Sequence, residues 1–338
     1  MTVPYVPVGG GPYERGLRHG WARREALRAF LADGLCRLDR ILPAPVDRDG
    51  LPELLAGYES AIRAATPDLA EEIRGLAAGA GLTLDEAVLL QVRREILGYQ
   101  RVPTMGDCTT YACPGPDPLL AQTVDLNGDL DDQIAVLDTG SALVLSFGGT
   151  LGYLGVNRAG LAVGLNLVLG GQWRPGLPPY LAIRHLLDRA GSVTEAVGLL
   201  RDTPLASSRS IMLCDRDQAG YAEVLGDEVR FQPAAEPVHT NHFLDPEFAE
   251  HDEVNVFARN SSQRRLDACR TRLAALPAGA GAEEHFALLA EPPITVPDSG
   301  DVRRERTVAA VVAYGGRGEL HVRPGDPSRS VTDTFTLR

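Results

Sequence analysis

The sequence predicts an α+β protein in which a mostly helical N-terminal segment precedes a segment rich in antiparallel strands. Apolar residues recur at helical spacing through the first hundred residues, whereas short apolar runs separated by turns extend from Asp107 to Val168. Short connections between neighbouring strands favour antiparallel pairing, with helices grouped to cover the sheet faces. We therefore expect a helical segment at residues 1–107 and a strand-bearing segment at residues 108–338.

The individual elements follow from capping residues and periodicity. Thr66 with Pro67 predicts the start of one helix, and the capping box of Thr83 and Glu86 predicts the next. Strands are then predicted at LLAQTVD, QIAVLD, SALVLSF and LAVGLNLV, followed by helices near 179–190 and 193–201. The remaining predictions are strands at SIMLCD and GYAEVL, helices from roughly 261 to 290, and final strands at TVAAVVAY and ELHVR.

The composition excludes several functional classes. The formal net charge of −12 argues against a protein that binds nucleic acid or an anionic membrane. All 33 basic residues are arginines, and the absence of lysine excludes a Schiff-base enzyme, attachment of pyridoxal phosphate and a phosphate-binding P-loop. We expect no cofactor, no nucleic-acid partner and no membrane partner. The N-terminus has no basic region followed by an apolar core, so the expected location is cytoplasmic.

The cysteines and histidines do not form a metal-binding pattern. The five cysteines are odd in number and have no CxxC spacing, so neither a zinc cage nor a disulfide scaffold is expected. His239 and His242 are three residues apart, but only His251 and Asp252 follow as further ligands. We therefore expect a structural role for this loop and no metal.

Cys108 lies at the point where the helical half gives way to strands. A cysteine at the start of a strand is usually a small buried hydrophobic residue. Here, however, a series of sequence motifs along the chain favours a catalytic role for Cys108. They are GGGPYERGLRHG, EEIRGLAAGAGLTLDEAVLLQVRRE, DCTT, AQTVD, NRAGLAVGLN, SSRSIMLCDRDQAGYAEV, HTNHF and RTVAAVV. In this order the chain resembles the acyl-coenzyme A:isopenicillin N acyltransferase family of N-terminal-nucleophile hydrolases. The resemblance implies a four-layer αββα sandwich of two antiparallel sheets.

The resemblance also implies self-cleavage between Asp107 and Cys108. Cys108 would then supply both the thiol nucleophile and, through its new α-amino group, a base with a pKa of about 7.7. The fragment 1–107 would remain as a tightly bound subunit. Better-known family members have glycine before the cysteine, whereas Asp107 adds bulk and charge at this position.

Four further residues acquire roles from the resemblance. It implies that Asp125 bonds the new amino group and that Asn241 stabilises the oxyanion. Asn166 resembles an oxyanion asparagine of the related choloylglycine hydrolases, and Arg306 would hold Asp125 or the surroundings of the nucleophile. From the residues alone, Asp125 and Asn241 fit turns, Asn166 fits a strand cap, and Arg306 belongs to a basic stretch.

The expected activity is acyl transfer or hydrolysis on a small amide or thioester, in the setting of natural-product biosynthesis. The expected partners are a small-molecule acyl donor, for which acyl-coenzyme A is a candidate, and an acceptor. One alternative is a papain-like amidase that uses Cys108 and His239 without self-cleavage, although the CGSCW signature is missing. A nonenzymatic binding protein for an acylated metabolite is the other.

Overall fold

The N-terminal segment is mostly helical, as predicted. The computed structural model describes residues 2–98 and 108–337, so Asp107 lies outside the described residues. The segment contains β1 (Tyr5–Pro7), α1 (Pro12–Ala22), α2 (Arg24–Ala32), α3 (Leu38–Ile41), α4 (Leu51–Ala65), α5 (Pro67–Ala80) and α6 (Leu84–Leu97). Thr83 caps α6 through the predicted box, with its hydroxyl accepting from the Glu86 N–H.

Two sheets follow in the described part of the chain. The first has the order β1-β4-β5-β6-β7-β8-β9-β10 and the second the order β11-β2-β3-β12-β13-β14. The strands are β2 (Thr109–Cys113), β3 (Leu119–Leu126), β4 (Ile134–Asp138), β5 (Ala142–Phe147), β6 (Leu154–Asn157), β7 (Ala162–Leu167), β8 (Arg209–Cys214), β9 (Ala219–Leu225), β10 (Glu228–Pro233), β11 (Val238–His239), β12 (Arg306–Tyr314), β13 (Glu319–Pro324) and β14 (Asp333–Thr336).

The sheets face each other and carry helices on their outer faces. β2 and β3 contact β7 and β8 across the sandwich. The helices of this part are α7 (Pro179–Arg189), α8 (Val193–Arg201), α9 (Pro246–Ala249), α10 (Val256–Ala275) and α11 (Ala282–Ala290). α7 and α8 cover the first sheet, and α10 and α11 cover the second. The predicted αββα sandwich is therefore confirmed.

Two expectations about the elements need correction. The N-terminal segment also supplies β1, which pairs parallel with β4 at the edge of the otherwise antiparallel first sheet. The helical region predicted from roughly 261 to 290 is two helices, since Pro277 and the glycines after it interrupt it. The first of these begins earlier than predicted because Asn255 accepts hydrogen bonds from the N–H groups of Phe257 and Ala258.

No single helix in the described ranges is long and apolar enough to cross a bilayer. α5 and α6 meet the length and composition criteria only as a pair, across a bend of 117°.

A buried ion pair joins the helical segment to the sandwich. Glu72 on α5 accepts two hydrogen bonds from the Arg184 guanidinium on α7, each 3.0 Å long, and both side chains are fully buried. Arg15 on α1 adds a third bond to Glu72, 2.9 Å long. α1 comes this close because Gly16 lies against the α5 backbone, where a Cβ atom would meet the Glu72 carbonyl oxygen at 1.8 Å. Shielded from water, this carboxylate depends on its arginines for stabilisation.

Two more buried side chains of α6 bind the sandwich. Gln91 donates to the carbonyl of Gly149 and accepts from the N–H of Leu151. Glu95 accepts from the Ser207 hydroxyl at 2.9 Å and lies 3.4 Å from the Arg209 guanidinium. The helical segment therefore shares polar bonds as well as apolar surface with the sheets.

We expect Glu72→Leu to lower the free energy of unfolding by about 3–5 kcal/mol, because the two terminal nitrogens of the buried Arg184 lose their carboxylate and only Asp188, bound at Nε, remains as an acidic partner. Urea denaturation measures the change. The control is Glu71→Leu, whose side chain is 44% exposed and should change stability by about 1 kcal/mol or less. Equal effects of the two substitutions would contradict the role of the pair.

Stability should also fall with acidification because of His19. This side chain on α1 is 1% exposed, and burial, with Arg23 and Arg184 nearby, lowers its pKa from 6.5 to about 3. Between these values the unfolded chain binds a proton that the folded chain does not, so the free energy of unfolding decreases by about 1.4 kcal/mol per pH unit. His19→Gln should reduce this slope in urea titrations from pH 7 to pH 4.5. His251→Gln, at an exposed histidine, should leave it unchanged.

Candidate active site

Cys108 is held at the entrance to β2, between the two sheets. Its side chain and backbone are 2% exposed. Its carbonyl oxygen accepts from Asn166 Nδ2 on β7 at 2.9 Å and from Arg265 Nη1 on α10 at 2.8 Å. Two buried donors from different layers therefore fix the backbone of this residue.

The Cys108 sulfur contacts a tyrosine. Its Sγ atom lies 3.5 Å from the Tyr153 hydroxyl. The Tyr153 ring stacks on Tyr180 with centroids 5.2 Å apart and meets Phe147 edge-on at 5.0 Å. Aromatic packing therefore holds the hydroxyl beside the sulfur.

Arg265 connects Cys108 to Asn241. The guanidinium is fully buried, and its Nη2 donates to Asn241 Oδ1 at 2.6 Å while its Nη1 also bonds the Thr109 hydroxyl at 3.0 Å. Asn241 follows the short strand β11, and its Nδ2 donates to the Leu167 carbonyl at 2.9 Å. Asn241, Asn166 and Cys108 thus belong to one buried hydrogen-bond network.

Asp125 lies at the end of β3 and is fully buried. Its Oδ1 accepts from the Thr307 hydroxyl at 2.7 Å, and its Oδ2 lies 3.5 Å from the Thr123 hydroxyl. That hydroxyl in turn accepts from the Thr109 N–H at 3.1 Å. Thr123 therefore connects Asp125 to the strand that carries Cys108.

Arg306 does not lie at this site. Its guanidinium donates to Asp129 at 3.0 Å and to Asp131 at 2.6 Å. Successive side chains of a strand point to opposite faces, and it is the next residue, Thr307, that bonds Asp125. The expected contact of Arg306 with Asp125 or the nucleophile is corrected accordingly, and the arginine at Cys108 is Arg265.

The histidines near Asn241 are engaged elsewhere. His239 Nδ1 donates to the Thr240 carbonyl at 2.8 Å, and its Nε2 lies 2.8 Å from Glu223 Oε1. Burial lowers the pKa of His242 to about 4, with His239 and Arg259 contributing. In the described ranges no group of three or more His, Cys, Asp or Glu residues has the geometry of a metal site.

The other four cysteines are poorly suited to nucleophilic chemistry. Burial raises the pKa of the thiols of Cys36 and Cys269 to about 12 and that of Cys113 to about 11. Burial also raises the pKa of Cys214. Since the thiolate is the reactive form, none of these four thiols is activated by its surroundings.

The sequence analysis did not identify four residues of this site, which are Arg265, Tyr153, Thr123 and Thr307. One signal for Arg265 was available. The buried residues of α10 recur at three- and four-residue spacing, and Arg265 lies among them: Ala258, Ser262, Arg265, Leu266, Cys269 and Leu273. A charged residue on the apolar face of a helix indicates a buried partner or a functional site.

Comparisons with known proteins find sequence relatives of this chain. The model of the family described as acyl-coenzyme A:6-aminopenicillanic acid acyl-transferase matches residues 113–312. The 40 kDa form of acyl-coenzyme A:6-aminopenicillanic-acid-acyltransferase from Emericella nidulans is 30% identical over 252 residues, which are 71% of this chain and 69% of that protein.

Solved structures with similar folds are more distant in sequence. Penicillin V acylase from Agrobacterium tumefaciens is 16% identical with a TM-score of 0.49, covering 68% of this chain and 86% of that one. The Caenorhabditis elegans orthologue of N-acylethanolamine-hydrolyzing acid amidase is 16% identical with a TM-score of 0.48, covering 68% of this chain and 100% of that one.

Family membership rests on the two sequence matches. The family model spans more than half of the chain and includes Asp125, Asn166, Asn241 and Arg265. The resemblance seen in the sequence is therefore confirmed: this chain belongs to the acyl-coenzyme A:6-aminopenicillanic acid acyl-transferase family.

Proposed function

We propose that this protein is a self-cleaving cysteine enzyme that transfers or hydrolyses an acyl group at Cys108. The observation that carries the proposal is the convergence on Cys108 of Asn166, Arg265 and Tyr153. The raised pKa of each of the other four thiols supports the same choice of nucleophile.

Self-cleavage would generate the active form. The Cys108 thiol attacks the Asp107 carbonyl carbon, the peptide nitrogen leaves as the α-amino group of Cys108, and water hydrolyses the resulting thioester. This leaves a carboxylate on Asp107. The cut supplies a base, because an amide nitrogen cannot accept the thiol proton whereas an α-amino group can at neutral pH.

In turnover the α-amino group would take the thiol proton as Sγ attacks the acyl carbonyl carbon. The tetrahedral intermediate then expels an amine or a thiol, which leaves with that proton. The acceptor, an amine or water, attacks the thioester and returns a proton to the α-amino group. Cys108 is thereby regenerated, and no second base is required.

The neighbouring side chains suit this cycle in different ways. The Asn241 amide is a neutral donor, and its position in the Cys108 network supports an oxyanion role. Asn166 donates to the Cys108 carbonyl, so it positions that backbone in addition to its expected oxyanion role. Asp125, one threonine away from β2, is the acceptor we assign to the new amino group.

The substrate proposal stays at the level of chemical class. The Emericella nidulans relative is named for acyl-coenzyme A and 6-aminopenicillanic acid. We infer an acyl thioester or small amide as donor and a small amine or water as acceptor for this chain.

The papain-like alternative is less well supported by the contacts. It requires a histidine ring nitrogen directed at the cysteine sulfur, but both ring nitrogens of His239 face acceptors other than Cys108. A nonenzymatic binding protein would retain its ligand without any turnover at Cys108.

Intact-mass analysis of the purified protein should reveal two fragments, 1–107 and 108–338, that co-elute on a sizing column. They should stay together because Glu72, Gln91 and Glu95 bind the sandwich. The cut should be absent from Cys108→Ala and present in Cys113→Ala, a matched variant on the same strand. An active enzyme with one unbroken chain would refute the mechanism and return the base role to His239.

Cys108→Ala should abolish turnover of acyl-coenzyme A with an amine acceptor, and Asn241→Ala should lower kcat by about 10²–10³ through loss of an oxyanion donor. Release of free coenzyme A measures both. Cys113→Ala is the control that should retain activity, and circular dichroism checks that each variant is folded. Turnover that survives Cys108→Ala but disappears with a chelator would exclude the cysteine mechanism.

A further inference from the structure

A narrow cavity adjoins the side chain that contacts the nucleophile. Tyr153, whose hydroxyl lies 3.5 Å from Cys108 Sγ, forms part of its wall. The cavity has a volume of about 30 Å³ and is lined mainly by apolar and aromatic side chains, including Leu90, Leu126, Phe147 and Tyr180. This volume is roughly that of two water molecules or of one small planar group.

Arg93 on α6 brings a guanidinium to this cavity, with its Cζ atom 5.9 Å from the centroid of the Phe30 ring. It lines the cavity, and its Nε donates to the Cys36 carbonyl at 2.7 Å. Its Nη2 is enclosed by protein and has no hydrogen-bond partner among the described residues. Burial lowers the pKa of Arg93 to about 10, so the guanidinium is still charged at neutral pH.

Asn127 presents a second donor to the same cavity. The residue is 2% exposed and lines the cavity, and its Nδ2 lacks a hydrogen-bond partner within the described ranges. The next residue, Gly128, lies against Arg93, since a Cβ atom there would be 2.7 Å from Arg93 Nη2. Arg93 and Asn127 therefore both line the cavity close to the end of β3.

The cavity wall carries the charge of Arg93, and no aspartate or glutamate is among the described lining residues. Arg93 is only partly buried, but a guanidinium nitrogen that is enclosed by protein normally has a hydrogen-bond acceptor, because an unpaired polar group away from water is costly. A carboxylate accepts hydrogen bonds from a guanidinium and from an amide N–H₂, and it is small enough for the volume of this cavity.

We propose that Arg93 and Asn127 form a subsite for a carboxylate of the substrate, placed beside the acyl group that reacts at Cys108. That the bound carboxylate belongs to a substrate rests on the proposed function. That the cavity binds a carboxylate does not. The carboxylate can belong to the far end of the acyl group or to the amine part. A slender aliphatic chain between the reacting carbonyl and the carboxylate suits the narrow apolar walls.

The test compares substrates that differ only in the carboxylate. Glutaryl-4-nitroanilide against valeryl-4-nitroanilide probes the acyl side, and N-valerylglycine against N-valerylethylamine probes the amine side. In one of the two pairs, we expect the wild-type kcat/KM to be about 10-fold or more higher for the substrate that carries the carboxylate. Arg93→Gln should reduce this ratio of the two kcat/KM values by about 10- to 100-fold. Asn127→Asp should reduce the ratio as well, because it adds a negative charge beside the carboxylate.

The matched control is Arg24→Gln. Arg24 also bonds a backbone carbonyl through Nε and places its Nη2 against a glycine, but it does not line the cavity. Its substitution should leave both substrate ratios unchanged. Substrate ratios near one in the wild type, or ratios that Arg93→Gln and Asn127→Asp do not alter, would overturn the subsite.

A binding measurement separates this inference from the proposed mechanism. Calorimetry with the Cys108→Ala protein should detect glutaramate but not pentanamide if the carboxylate is on the acyl side, or N-valerylglycine but not N-valerylethylamine if it is on the amine side. Adding Arg93→Gln should weaken binding of the carboxylate ligand about 10- to 100-fold. If turnover survives Cys108→Ala while a carboxylate ligand still binds through Arg93, the mechanism fails and the subsite stands. If Cys108→Ala is inactive and neither carboxylate ligand binds, the subsite fails and the mechanism stands.

Discussion

The buried guanidinium of Arg265 holds the candidate active site together. It bonds the carbonyl of Cys108 on one side and the Oδ1 of Asn241 on the other, and so joins α10, the start of β2 and the loop after β11. Asn241 is bound in turn to Leu167 on the opposite sheet. Since an arginine has five donors in a rigid planar fork, one side chain sets the distance between the proposed nucleophile and the proposed oxyanion donor. Loss of its charge would release both at once.

The helical segment behaves as part of the core and not as a detachable cover. Its Glu72 accepts from Arg184 inside the protein, and its Glu95 lies against Arg209 on β8. Breaking a buried ion pair costs more than forming it gains over an apolar pair, so separation of the segment would expose several such charges together. Covalent cleavage before Cys108 therefore need not loosen the fold, and a new α-amino group can form inside an otherwise unchanged site.

The same segment contributes to substrate recognition in our interpretation. Arg93 lies on α6, only two residues from Gln91, which bonds the sandwich. A helix that is fixed by Gln91 and Glu95 keeps the intervening guanidinium in place even without a carboxylate partner of its own. The stability provided by neighbouring bonds offsets the cost of holding one charge ready for a ligand, which is a recurring property of binding sites. The nucleophile Cys108 would then belong to the fragment after the proposed cut, and Arg93, which binds the carboxylate, to the fragment before it.

The sequence by itself determined the class of the fold, the family and the position of Cys108. Capping boxes, proline and glycine breaks and two apolar periodicities are local, and they predicted α5, α6, α7 and α8 within a few residues. The order of motif blocks identified Asp125, Asn166 and Asn241, all of which lie in or beside the Cys108 network. Only the tertiary structure decided that Arg265 and not Arg306 meets Cys108, and that Arg93 and Asn127 share a cavity. These contacts join residues far apart in the chain, and a one-residue change of strand register reverses which side chain faces the site.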